Sequence, residues 1–445
     1  MATRTTIRKI TLWLFAAFFM LCATLSIYFL MPKTQPAHAE TVGEFQVEGG
    51  TQDVDYSYGD NRGGTLTVLT DTPLTISNAD KNTQTSDKIY IAPNVTANVT
   101  LNGVNISVRD WGPGIYVQEG ATLNLTLAEG SENVLNGSFT GGLSGILIPS
   151  GSAIVIGGTG SLTAVGRWEG AGIGGGNIYA DSGDITIIGG TVSAVGGETA
   201  SGIGSGFGGS NGNITITGGI VTATGGEGPG IGGDDDDNSG NITITGGIVT
   251  ANGGNGSAGI GGSSQGTGVL MPARNITIAG GTVTAFGGDS GAGIGGGSYG
   301  YGGNITITGG IVSATGSNGG ADIGNGGFSE FSDDTSANTV FSTTDSDGAP
   351  GNAVIYVTAR ADVSAITDSD DTSDWNCMIF YGSGGQVYGE MMLAQDLTLD
   401  GQYTLNVPEG ASLSIPEDIT LTNFGKMTTD GDIINNGTVI TYNTS

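Results

Sequence analysis

The chain is nearly without histidine, cysteine and positive charge. Its 445 residues include one histidine, two cysteines and 12 lysines and arginines, against 42 aspartates and glutamates. His38 lies in an N-terminal segment that reads as a leader. Beyond it there is no imidazole, so Ser-His-Asp and Cys-His catalysis and histidine metal sites are excluded. Cys22 belongs to the same segment and follows Leu21, not the small residue of a lipoprotein box. Cys377 is then the single cysteine left, and no intramolecular disulfide can form. Between Arg109 and Arg360 the basic residues are Arg167 and Arg274 alone. Phosphate backbones need clustered Lys and Arg, so no nucleic-acid partner is expected. Anionic surfaces are disfavoured unless a cation bridges.

The leader consists of Arg4, Arg8 and Lys9, an apolar run from Thr11 to Met31, and Ala37-His38-Ala39. This is the order of a secretory signal peptide, with cleavage expected after Ala39. The run is also about long enough to serve as an uncleaved anchor. The cleaved form is expected to be secreted or at the cell surface, with no membrane span. It carries eight basic against 42 acidic residues, a net charge near −34.

What the chain has in excess is glycine, 86 residues of it, and a repeat. The phrase GAGIGGG, a loop, GNITITGG and IVTATGG recurs from Gly170 to Gly327. Asp184, Asn213, Asn241, Asn275 and Asn304 each open an Ile-Thr-Ile, at steps of 29, 28, 34 and 29 residues. A period in this range marks a solenoid. Period-two alternation sends Ile214 and Ile216 inward and Thr215 and Thr217 outward. After the Gly218-Gly219 corner Val221 and Ala223 point in, and after a second corner Ile231 does. The sequence thus predicts an all-β, right-handed parallel β-helix with three short strands per coil of about 29 residues. Ile115 and Ile146 hold the place of the later Gly-Ile-Gly isoleucines. The expected organisation is a signal peptide at 1–39, an N-terminal cap at 40–110 and regular coils at 111–328. A polar loop at 329–352 and shorter coils at 353–445 follow.

The Gly-Ala-Gly-Ile-Gly-Gly-Gly repeats, the Tyr56-Ser57-Tyr58 entry and the Leu421-Thr422-Asn423 to Asn436-Gly437-Thr438 tail resemble a group of bacterial surface proteins, mostly from Gram-positive anaerobes. More loosely the chain resembles parallel β-helix carbohydrate-binding proteins with a pectate-lyase-like fold. That second resemblance implies calcium and a plant polysaccharide as ligands. The Gly-Asp-Gly-Ile phrases of that family are replaced here by Gly-Pro-Gly-Ile and Gly-Ala-Gly-Ile.

Stacking turns spacing into columns. Glu198, Glu227, Asn255, Asp289 and Asn318 each follow a Gly pair or its equivalent after the second strand, and Glu169 is expected near the same column. Carboxylates one coil apart repel unless a cation intervenes, and calcium takes such oxygen ligands; a solvated acidic edge explains the same column. Asp234, Asp235, Asp236 and Asp237 form a rival calcium cluster on a neighbouring loop. Variable loops on one side of a solenoid usually carry binding. Here they hold Tyr179, Phe207, Tyr299 and Tyr301, which with Trp168 are the candidate sugar-stacking residues; packing on their own coil is the alternative. The asparagine column reads as structural. The expected function is a secreted or cell-surface, adhesin-like, monomeric binding and structural module, with a polysaccharide or cell-wall glycan as ligand. Two competing readings remain open. One is a polysaccharide lyase or glycoside hydrolase using Arg167 and Glu169 or paired carboxylates. The other is a spacer recognised by protein partners.

Overall fold

The computed structural model describes residues 39–60, 63–177, 181–233, 240–263, 275–327, 340–342, 352–358 and 375–442. The leader, the greater part of the 329–352 loop, Tyr179 and Asp234 to Asp237 lie outside these residues. The fold is an all-β parallel β-helix. Each coil lays down three strands, and each strand pairs in parallel with its counterpart one coil on. The first strands place Ile185, Ile214, Ile242, Ile276 and Ile305 in one register. The second strands do the same for Val192, Val221, Val249, Val283 and Val312. The third strand is a short piece with one inward side chain, and Ile89, Ile115, Ile146, Ile173, Ile203, Ile231, Ile260, Ile294 and Ile323 stack through it. All of these residues are buried.

Two glycine positions make this section possible. Gly204 sits at φ +136°, and a Cβ there would lie 1.8 Å from the Gly232 carbonyl oxygen of the next coil. Gly219, at φ +85°, turns the chain from first to second strand; its Cβ would lie 2.7 Å from the Gly190 oxygen. No L side chain fits either place. In two coils strand pairing continues through the corner, although Gly281 and Gly310 keep the same φ, +83° and +87°. Asn275–Phe286 and Asn304–Thr315 are therefore single 12-residue strands, with a register shift at the glycine pair, where the sequence suggests two strands each.

The stack is closed at its start by antiparallel pairs, Phe45–Glu48 with Leu74–Asn78 and Tyr56–Gly59 with Thr65–Val68. Phe45, Val47 and Tyr56 seal the core. Tyr56 donates to Glu40 Oε2 at 2.9 Å, and Tyr58 donates to Asp87 Oδ2 at 2.7 Å. Burial and the Glu40 partner push the Tyr56 hydroxyl up to about 12. Burial and Asp87 push Tyr58 higher still.

At the other end Ala353–Val357 pairs with the last long strand, and Cys377–Tyr381 pairs with Ala353–Val357. These two strands are apolar on both faces. Ala353, Ile355, Val357, Cys377 and Ile379 complete the long core, while Val354, Met378 and Phe380 open a second one. Around that second core the chain winds shorter coils, three strands each: Glu390 pairs with Ser412 and Ser412 with Asp432, Leu397 with Leu421 and Leu421 with Val439.

Ile216→Asp puts a carboxyl into the stacked core without a partner, at a cost of about 2–7 kcal/mol even when it takes up a proton. Hydrogen exchange should show amides of the flanking coils, at 185–187 and 242–244, losing protection first; uniform loss along the chain would contradict nearest-neighbour stabilisation. The cap tyrosines set an alkaline limit. The native state keeps protons that the unfolded chain releases, so their contribution is full below pH 10 and is lost as pH rises through about 12. Tyr56→Phe should flatten that limb of a stability-against-pH curve and lower the neutral plateau, where the hydroxyl's bond to Glu40 is otherwise intact.

Candidate functional site

The corner between the second and third strands carries the side chains that the core does not need. From the pairs Val165↔Val195, Val195↔Thr224, Thr224↔Asn252, Asn252↔Phe286 and Phe286↔Thr315, counting on three residues brings Trp168, Glu198, Glu227, Asn255, Asp289 and Asn318 into one column. Backbone bonds fix it: Thr199 N–H donates to the Trp168 oxygen at 3.0 Å and Glu227 N–H to the Glu198 oxygen at 2.7 Å. Trp168, not Glu169, therefore occupies the head of the acidic column, and Glu169 stands one residue further along. The corner has no alternation to read, so the sequence leaves that position uncertain by one.

The loop after the third strand folds back on this corner. Phe207 N–H donates to the Glu169 oxygen at 3.0 Å, Ser298 N–H to the Gly256 oxygen and Gly327 N–H to the Ser290 oxygen, both at 2.7 Å. In each case the fourth residue after the stacked isoleucine reaches the preceding coil. Loop aromatics and corner residues thus share one ridge.

On its N-terminal part the ridge is aromatic. Trp111 is 54 % exposed, Phe139 64 %, Trp168 53 % and Phe207 39 %. Neighbouring corners link them. Gly141 lies under Trp111, where a Cβ would come within 2.6 Å of Nε1, and Gly142 lies against the Trp168 Cβ. The Arg167 guanidinium sits 4.3 Å from the Phe139 ring centre, a cation–π contact. Between Phe139 and Trp168 opens a cavity of about 340 Å³, lined also by Gly141, Gly142, Glu169 and Asn177. Trp168 has φ +53° and Tyr299 φ +66°. A bulky L residue in the left-handed region costs about 1–2 kcal/mol, and both rings keep about half of their surface in solvent.

Of the residues expected to bind sugar, Trp168 and Phe207 come together here. Tyr299 is on the same ridge, three coils beyond Phe207, about 14 Å away at the usual strand spacing; Tyr301 beside it is half-buried. Tyr179 lies outside the described residues. Sequence reasoning missed Trp111 and Phe139. Their one signal is position, each three or four residues past a second strand that ends at Ser107 or Asn136.

Of the expected calcium ligands, Glu198, Glu227 and Asp289 are exposed on the ridge. Only the first two are neighbours; Asn255 separates Asp289, whose Oδ1 accepts from the Asn318 amide. Among the described residues no three His, Cys, Asp or Glu side chains gather into a metal-binding group. The asparagine column is an exposed amide ladder at the entry to the first strands. Asn213 Nδ2 donates to Asp184 at 3.1 Å, Asn275 Nδ2 to Asn241 Oδ1 and Asn304 Nδ2 to Asn275 Oδ1, both at 3.0 Å.

Replacing Trp168 by glycine separates packing from strain. Relief of the left-handed residue, less glycine's extra unfolded-state entropy of about 0.5–1 kcal/mol, should leave the melting temperature unchanged or slightly higher. A loss of stability above about 1 kcal/mol, in the range typical of point mutants, would instead identify Trp168 as a packing residue.

Comparison with known proteins bears on the architecture. A family model described as a beta helix repeat matches residues 154–177, 185–207, 214–235, 242–264 and 276–298. Each match starts on the first strand of a coil and runs through its corner and third strand. No curated protein and no solved structure matches the chain.

Proposed function

We propose that the chain is a secreted or cell-surface carbohydrate-binding module whose site is the ridge Trp111, Phe139, Trp168 and Phe207. The observation that carries this reading is Trp168: a large ring held in a strained backbone conformation and turned to solvent. Strained backbone positions of this kind cluster at binding and active sites. Flat apolar rings stack on the C–H faces of sugars, and Glu169 and Asn177 in the adjoining cavity supply an acceptor and an amide for hydroxyl groups. A lyase would need Arg167 as its base, but that guanidinium lies over Phe139, so the binding reading is preferred to the enzymatic one.

Isothermal titration of the protein from Glu40 onward against a panel of soluble glycans tests the proposal. A ligand for the intact protein should bind Trp168→Gly at least about tenfold more weakly, the loss of about 1.4 kcal/mol typical of a truncated aromatic anchor. Failure of every glycan, or full binding by Trp168→Gly, would overturn it. The same titration with calcium locates any cation effect: a calcium bridge between Glu198 and Glu227 disappears in Glu198→Gln.

A further inference from the structure

We infer that the ridge takes a linear glycan free of carboxylate and sulfate groups, lying along the stack axis with one sugar ring to each coil, an inference that rests on the carbohydrate reading above. Its direction follows from where the rings originate. Trp111, Phe139 and Trp168 come from the corners that lead into Ile115, Ile146 and Ile173, which stack in consecutive coils. Phe207 comes from the loop after Ile203, and its backbone is bonded to Glu169 beside Trp168. Successive rings are therefore offset along the axis by one strand spacing, about 4.8 Å, close to the length of one hexose in an extended chain. Across the axis the aromatic strip is only a corner wide. Across the axis at its first corner Tyr90 and Tyr116 are half-buried and packed edge to face on each other at 5.3 Å, so a branched ligand gains no second exposed row there.

The charge requirement follows from what surrounds the strip. Glu169 lines the cavity, and Glu198 and Glu227 continue the Trp168 column. Of the nearby cations, Arg167 is packed on Phe139 with its Nε buried and without a hydrogen-bond partner. Lys88 is 3 % exposed and donates to the Trp111 carbonyl oxygen at 3.3 Å, inside the cap. Arg109, two residues before Trp111, is exposed, so a cation stands at the head of the strip only, and from Phe139 onward carboxylates flank the rings. A uronate or sulfated chain would bring like charge onto this edge of a protein already far below neutrality. Hydroxyl and amino groups would not.

The test is a length series, dimer through hexamer, of β-1,4-linked glucose, N-acetylglucosamine, glucosamine and galacturonate oligomers, titrated into the protein from Glu40 onward. In at least one of the three non-acidic series, affinity should rise about twofold to tenfold for each ring added up to the fourth and then level off. Phe139→Ala and Trp111→Ala, both at exposed positions and checked for an unchanged melting curve, should each remove one step of that rise. Comparison of the glucose and glucosamine series shows whether hydroxyl or amino groups are read. Binding that ignores length, or is indifferent to both alanine variants, overturns the axial arrangement and leaves the carbohydrate reading standing. Preference for the galacturonate series overturns the charge requirement in the same way. No binding in any series, together with failure across the wider panel, sinks the carbohydrate reading itself.

Discussion

In the parallel coils each strand residue sits about 4.8 Å from its counterpart one coil on, and that single constraint governs composition, charge and the location of any site. Inside, it favours one residue type per column, because equal shapes stack without voids; hence the isoleucine columns at both first-strand positions and in the third strand. Outside, it penalises charge. Two like charges at that distance repel by roughly 1 kcal/mol in water and by several at the lower effective dielectric of a protein surface. Among the described strand residues from Ala153 to Thr315, Asp184 alone is charged, in a chain with 42 acidic side chains. Even Asp184 is relieved, since the backbone and side-chain N–H groups of Asn213 both donate to it. Threonine and asparagine fill the outward positions because they stack on themselves without repulsion, and asparagine gains a hydrogen bond by doing so.

Corners escape the constraint, and the acidic and aromatic residues collect there. A loop can lengthen, tilt its side chains outward, or take a left-handed residue without disturbing the coils beside it. The Trp168 column shows how like charges are kept apart when they do stack: Asn255 interrupts the carboxylates, and the Asn318 amide is bonded to Asp289. Glu198 beside Glu227 is the unrelieved pair. The same column position thus carries a strained tryptophan in one coil and an acid in the next, which is diversity of a kind the strands do not tolerate.

This division explains what could be read from the sequence. Alternation and period belong to the strands, so the inward isoleucines, the glycine turns and the three-strand coil were legible in the repeat itself. Neither property survives at a corner. From Asn136 to Ile146 the chain takes ten steps, from Val165 to Ile173 eight. Corner length changes from coil to coil, so Phe139 aligns with Trp168 only when counted from the strand register Asn136↔Val165, and Glu169, expected near the acidic column, stands one residue beyond it. Trp111 stands in the first of the expected coils, where the phrase around Ile115 departs from the later repeat. The second core was hidden for the opposite reason. Ala353–Val357 and Cys377–Tyr381 bury both faces, and an apolar run without alternation carries no information about which core each residue serves.

Those two strands also settle how one chain supports coils of two sizes. A stack of about 29-residue coils ends on an open apolar section that must be covered. Covering it with a polar cap would end the solenoid. Here the covering strands are apolar on their far side too: Ile355 and Ile379 complete the first core while Met378 and Phe380 begin the second. Phe380 lies 4.7 Å from Tyr356 with their rings nearly parallel, and both contact Tyr403 from the smaller coils. The smaller coils therefore do for the far end of the stack what Phe45 and Tyr56 do for its beginning. With both ends closed, the coils that bear the aromatic ridge are flanked by stacked neighbours on either side, and backbone bonds such as Thr199 to Trp168 and Gly197 to Gly170 hold the corner in place. A scaffold fixed in this way can keep a residue at positive φ, because no local rearrangement is open to it that does not break the register of the next coil.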